Sequence, residues 1–274
     1  AFTDDKHSII KNNVLKVALL YAKDCNRLIM NFPNDKDIAN NGSMHEGEVS
    51  TKLGLKGIPS IAEEIMVNRD ISLCSYTNSK LHLSYLSIKE SVKKVKEAKN
   101  KKLPLTSDVC LYNLFLNDKY LNNFDSRYKT LPPLRTIKDN KALIKGLKEG
   151  VIDAITTDHR PHEEEVKKIE FDYAKEGIIG LESSFGLLGK HILPHLNISE
   201  LIEKISINPR KILNIHSVSI NEGEDANITL FDPTKKWIFK KEDVKSKSNN
   251  TPFIGEEMHG QALAIYNNKK FTEC

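Results

Sequence analysis

Apolar residues along this chain follow two alternating periods. Leu28–Phe32, Leu81–Leu86, Leu105–Leu111 and Ala154–Thr157 are short, mainly apolar runs of the length expected for buried strands. Between them the apolar spacing changes to three and four. Ile58–Leu73 carries Ile61, Ala62, Ile65, Met66 and Ile71 at helical spacing, with Pro59 suited to the first turn. Ser87 is placed to cap a helix over Lys89–Lys99. Asp139–Lys148 reads as a helix stopped by Gly150. Leu181–Leu188 and Ile198–Ile205 fit two more. Strands alternating with helices predict a parallel α/β fold.

Beyond about Ile220 the pattern changes to short β segments with turn residues between them: Asn227–Pro233, Trp237–Phe239 and Ala262–Tyr266. This predicts a division into an α/β unit over residues 1–218 and a small β unit over 219–274. A complete eight-stranded (β/α) barrel takes roughly 250 residues. The α/β unit shows four clear strands, plus a fifth ending at Phe2–Asp5. A barrel therefore requires further units on the N-terminal side, and an open sheet satisfies the same periodicity. A barrel divided there would expose long strand edges, so the polypeptide is expected to need its N-terminal part to stay in solution.

The chain has 274 residues and is 39% hydrophobic, enough for one large domain with a small appendage. No apolar run approaches the ~18 residues of a membrane-spanning helix. The opening Ala1-Phe2-Thr3-Asp4-Asp5 has no signal-peptide pattern. The net charge of +4 comes from lysines spread among acids. The densest group, Lys89–Lys102, lacks the aromatic interleaving of a nucleic-acid surface and reads as a solvated face. Cys25, Cys74, Cys110 and Cys274 show no zinc-knuckle spacing. They read as reduced thiols, which suits a cytoplasmic protein.

Candidate chemistry concentrates in Thr156-Thr157-Asp158-His159-Arg160-Pro161-His162, which closes the apolar run Val151–Ile155. An Asp and two His at a strand's C-terminal end lie where a (β/α) barrel places its active site. Asp can take a proton, and His can hold a metal or an anion. The segment points to a metal-assisted hydrolase.

Several longer motifs resemble the dihydroorotase branch of the amidohydrolase superfamily. They are Gly47–Pro59, Ala62-Glu63-Glu64, Arg69-Asp70, Lys129–Arg135, Asp158–His162, Gly177–Glu182, Gly223–Pro233 and Ser246–Gly255. They occur in the family's order over nearly the whole chain, and look most like the dihydroorotase-like proteins of the Bacteroidetes type. The resemblance implies a TIM (β/α)8 barrel, here its C-terminal portion, with a small β-sandwich made from both chain ends. It implies zinc-dependent interconversion of N-carbamoyl-aspartate and dihydroorotate in pyrimidine synthesis. It also implies a homodimer and aspartate carbamoyltransferase as a partner. Ala1 then falls near the end of barrel strand four, with the paired His of the first strand upstream.

By the same resemblance, Asp158 is the catalytic acid/base and a metal contact, His162 touches the substrate carboxylate, and Asp5, or its neighbour Asp4, contacts metal. His159 has a structural place, and Arg160 stands where a small residue is usual. The departures matter more. Phe32 and Tyr85 stand at usual His ligand positions, His82 keeps only a packing position, and Leu111-Tyr112-Asn113 replaces Pro-His-His. Leu131 replaces a substrate-binding Asn. Catalytic zinc normally needs about three protein ligands. The resemblance therefore implies a dihydroorotase-like amidohydrolase with impaired chemistry, or a non-catalytic scaffold.

Overall fold

The computed structural model describes residues 1–216 and 218–274. In chain order the first elements are β1 (Phe2–Thr3), α1 (Asn12–Asp24), β2 (Ile29–Asn31), α2 (Lys36–Ala39), β3 (Met44–His45), α3 (Glu48–Leu53), β4 (Gly57–Ile58) and α4 (Ile61–Thr77). They are followed by β5 (Leu81–Leu83), α5 (Lys89–Asn100), β6 (Leu105–Cys110), α6 (Ile137–Lys148), β7 (Ala154–Thr156) and α7 (Leu181–His191). A continuous helical stretch comprises α8 (Ile198–Ile202), a π turn (Glu203–Ile207) and α9 (Asn208–Leu213). Strands β8 (Ile228–Ile238), β9 (Glu257–Asn267) and β10 (Lys270–Glu273) close the chain.

β1, β2, β5, β6 and β7 form one parallel sheet in that order, each joined to its neighbour by a connection that contains a helix. The helices pack as a layer, α1 on α4, α4 on α5 and α5 on α6. Their apolar stripes meet the sheet in one core: Leu15 and Leu19 of α1, Val67 and Cys74 of α4, Val92 and Val95 of α5, and Leu143 and Leu147 of α6. Five flat strands would hold β1 and β7 about 19 Å apart. Lys6, just beyond β1, is nevertheless 2.6 Å from Asp158, just beyond β7. The sheet therefore curls, bringing the loop after β7 within side-chain reach of the loop after β1.

Some expected boundaries move, each for a local reason. The strand expected over Leu81–Leu86 stops at Leu83, because Tyr85 adopts φ +61° and its N–H turns to the Asp108 carboxylate. Ser87 does not cap α5; its hydroxyl and N–H both bond Glu63 instead. The helix expected from Ile58 begins at Ile61, because Ile58 is paired in β4 and its carbonyl accepts from Arg135 at 2.8 Å. Val151 and Ile152 are buried but precede β7. Thr136 caps α6 through a reciprocal pairing with Asp139, so Asp139 lies in the first turn.

In the tail, Asn227–Pro233 and Trp237–Phe239 become one irregular strand, β8, which with β9 and β10 makes a three-stranded antiparallel sheet. It is pressed against α7. A side chain at Gly189 would meet the His259 carbonyl at 1.8 Å. Phe239, Phe253 and Met258 join the main core.

Candidate functional site

The curl of the sheet gathers the loops after β1, β5 and β7 around an open cavity of about 450 Å³, lined by Asp5, Tyr85 and Thr156 to His162. This is the C-terminal face of the parallel strands, where such sheets place ligands. Asp158 sits at its floor, 7% exposed, in the left-handed region at φ +45°. A non-glycine residue there is strained and persists only when its surroundings fix it.

The surroundings are two cations. Lys6 Nζ lies 2.6 Å from Asp158 Oδ2, with both side chains 4% exposed. Arg160 Nε lies 3.4 Å from Oδ1. Burial pushes the Asp158 carboxyl up, and Lys6 and then Arg160 oppose that shift. Lys6 also donates to the Leu131 carbonyl, and its ammonium lies 4.6 Å from the centre of the Tyr85 ring. Arg160 Nη2 reaches the more exposed Asp5 at 2.8 Å. Asp5, Lys6, Asp158 and Arg160 thus form an electrically balanced quartet.

The positions where the resemblance puts imidazoles are filled otherwise. Phe32 is buried and meets Tyr85 edge-on, with ring centres 6.0 Å apart. Burial, and then the Asp158 and Asp108 charges, push the Tyr85 phenol well above its ordinary value, so tyrosinate is disfavoured as a ligand. His82 spends both ring nitrogens, Nδ1 on Thr106 at 2.8 Å and Nε2 on Asp108 at 2.9 Å. Tyr112 is buried against Phe253.

His159 Nδ1 accepts from the backbone N–H groups of Gly180 and Leu181, at 3.1 and 3.3 Å. It caps the start of α7, a structural place as expected. His162 lines the cavity, but its Nε2 pairs with the Glu176 carbonyl at 2.8 Å. Its backbone N–H donates to Asn250, whose side-chain amide holds the Arg160 and Gly177 carbonyls.

Asp158, Asp5 and His162 therefore do come together at one mouth, as the sequence suggests. They do not assemble into a zinc site. Among the described residues no group of three or more His, Cys, Asp or Glu side chains is placed to hold a metal ion. The donor chemistry gives the reason: the Asp158 and Asp5 carboxylates face cations, His82 is saturated, and Phe32 has no donor. These residues do not fit the metal that the resemblance implies. Two residues important to the mouth were not singled out in the sequence: Lys6, which carried no signal, and Asn250, which lies within the motif Ser246–Gly255. Their partners lie 152 and 90 positions away.

Comparison with known proteins agrees with this architecture. The amidohydrolase family profile matches residues 38–258. A dihydroorotase of Caldicellulosiruptor saccharolyticus is 39% identical over 98% of this chain and 63% of its own length. One from a Thermoanaerobacter species is 41% identical over 95% of this chain and 61% of its own. The chain thus spans about three-fifths of the length of these relatives. Among solved structures, a dihydropyrimidinase from Brevibacillus agri superposes with a TM-score of 0.82 at 21% identity, over 95% of this chain and 60% of the other. A D-hydantoinase from a Thermus species gives 0.83 at 19%, over 96% and 60%. At such identities these neighbours speak for the fold alone, a parallel α/β core of the (β/α)-barrel type. With most of its length matched by the profile, the chain belongs to the amidohydrolase family.

Proposed function

We propose that this chain is part of a dihydroorotase-like cyclic amidohydrolase of pyrimidine biosynthesis, with its hydrolytic chemistry impaired. The substrate pair is N-carbamoyl-aspartate and dihydroorotate. One observation carries the proposal: the carboxylate at the acid/base position, Asp158, is held by Lys6 at 2.6 Å. A general base must be free to reach the proton that it takes. Asp158 would have to leave a buried ion pair to do so. Asp5 is the remnant of a metal contact, and the zinc of the family is lost at this mouth. His162 is the substrate-carboxylate position. Its Nε2 is tied to Glu176, so Nδ1 would have to carry a proton to donate to an anion.

The test is hydrolysis of dihydroorotate by the purified full-length protein, with and without added zinc. Turnover is expected at least about 100-fold below that of a metal-loaded dihydroorotase. Zinc-dependent turnover at the level of such a relative, lost in Asp158→Asn, would overturn the reading.

A second reading, a non-catalytic scaffold for aspartate carbamoyltransferase, is favoured by where the family motifs persist. Arg135 is buried and bonds Ser87 at 3.0 Å and Ile58 at 2.8 Å, with Glu63 at 3.8 Å. Asp70 pairs with Arg69 at 2.6 Å and accepts from Asn31 at 2.6 Å. These motif residues support the barrel rather than the chemistry. Co-elution of a homodimer with aspartate carbamoyltransferase on size exclusion would support the scaffold; separate elution would remove it. Among the described residues no helix is long and apolar enough to cross a membrane. We place the protein in the cytoplasm, in keeping with four free cysteines.

A further inference from the structure

We propose that Lys6 stands in for a metal ion at this mouth, as a tethered cation that clasps the loops after β1 and β7 together. This deepens the reading above and rests on it only for the choice of zinc as the metal to test.

β1 and β7 are not neighbours in the five-stranded sheet, yet the loops that follow them are joined by two ion pairs. Lys6 follows β1 and meets Asp158 at 2.6 Å; Arg160, also beyond β7, meets Asp5 at 2.8 Å. The two pairs run in opposite senses, one cation from each loop. A metal ion shared between strand ends holds them together through its charge and its directed bonds. Here an ammonium supplies the charge, and two of its three donors go to Asp158 and the Leu131 carbonyl.

The lining fits an ammonium better than a metal. Phe32 and Tyr85 pack edge-on, and the Tyr85 face lies 4.6 Å from Nζ. An aromatic face attracts an alkylammonium, whereas a zinc ion needs lone pairs that Phe32 does not have. Tyr85 therefore makes sense as the wall of a lysine pocket, with Phe32 packed edge-on behind it. The left-handed conformations of Asp5, Tyr85 and Asp158 occur together around this ammonium.

The test is a double-mutant cycle on the full-length protein, read by thermal melting with and without zinc. Lys6→Met keeps the apolar stem and removes the charge, leaving Asp158 buried with only the longer Arg160 contact at 3.4 Å. Asp158→Asn leaves the ammonium unpaired. Each single change is expected to lower Tm by about 10 °C. The double variant is expected to lose much less than the two losses added together. Zinc is expected to leave the wild-type Tm unchanged. Should Lys6→Met alone fail to fold, a double variant that folds shows the same coupling, and one that also fails overturns the proposal. Additive losses, or a rise in wild-type Tm with stoichiometric zinc, would overturn it as well. Dihydroorotate turnover with the coupling intact would overturn the impaired-enzyme reading and leave the clasp standing.

Discussion

Tyr112 and Gly180 show how closely the mouth is fitted. A methyl group at Gly180 would lie 2.0 Å from the Tyr112 hydroxyl oxygen, which has no hydrogen-bond partner among the described residues. Gly180→Ala is therefore expected to lose about 1–3 kcal/mol to overpacking in urea melts. Tyr112→Phe should be close to neutral alone and should recover part of that loss in combination, the Thr157 carbonyl at 3.0 Å remaining close. A double variant as unstable as Gly180→Ala would contradict this contact. At this scale the sequence revealed the candidate positions but not their partners. Asp158 and His162 were legible because strand ends are where such folds place polar groups, and Asp5 only through the family resemblance. Lys6 was not, because a lysine beside two acids looks like any solvated surface residue. It is buried only because the curl of the sheet brings β7 to it.

Arg135 is the hub between elements. It links Ile58 of β4, Ser87 before α5 and Glu63 of α4, while His45 of β3 turns Nδ1 towards its Nη1 at 3.2 Å. Burial pushes the Glu63 carboxyl up, against the pull of Arg135. Arg135→Met would strand Glu63 without its cation, and a loss of about 3–5 kcal/mol is expected in denaturant melts. A loss under 1 kcal/mol would mean that the hub is not structural. His45 adds a pH dependence. Its pKa is lowered from 6.5 to about 4, first by burial and then by Arg135. The folded state therefore favours neutral imidazole. The stability from His45 is full above pH 6.5 and is lost as pH falls towards 4, by up to about 3 kcal/mol. His45→Gln should lose less stability between pH 7 and pH 5 than the wild type; an identical loss would assign the effect elsewhere. Most elements were legible, with boundaries moved where side chains took backbone partners. α1 was missed although Leu15, Leu19 and Ala22 are buried at helical spacing; its exposed Val14, Val17, Leu20 and Tyr21 add apolar residues outside that stripe.

For the whole molecule, the parallel α/β class was legible from period alone. The curl that decides between barrel and open sheet needed the Lys6–Asp158 contact. We propose the division into residues 1–218 and 219–274 as one of strand type, because Phe239, Phe253 and Met258 lie in the main core and α7 packs on β9. Calorimetry of the full-length protein should show these parts melting together; separate transitions would make them independent domains. In the proposed clasp a lysine occupies the place of the metal at the mouth of an amidohydrolase fold. Metal content by mass spectrometry, on full-length protein purified without chelator and then equilibrated with zinc, tests this. No zinc is expected to be retained at the Asp158 site, and so the same metal content in wild type and Asp158→Asn. A stoichiometric zinc in the wild type that disappears in Asp158→Asn would contradict it.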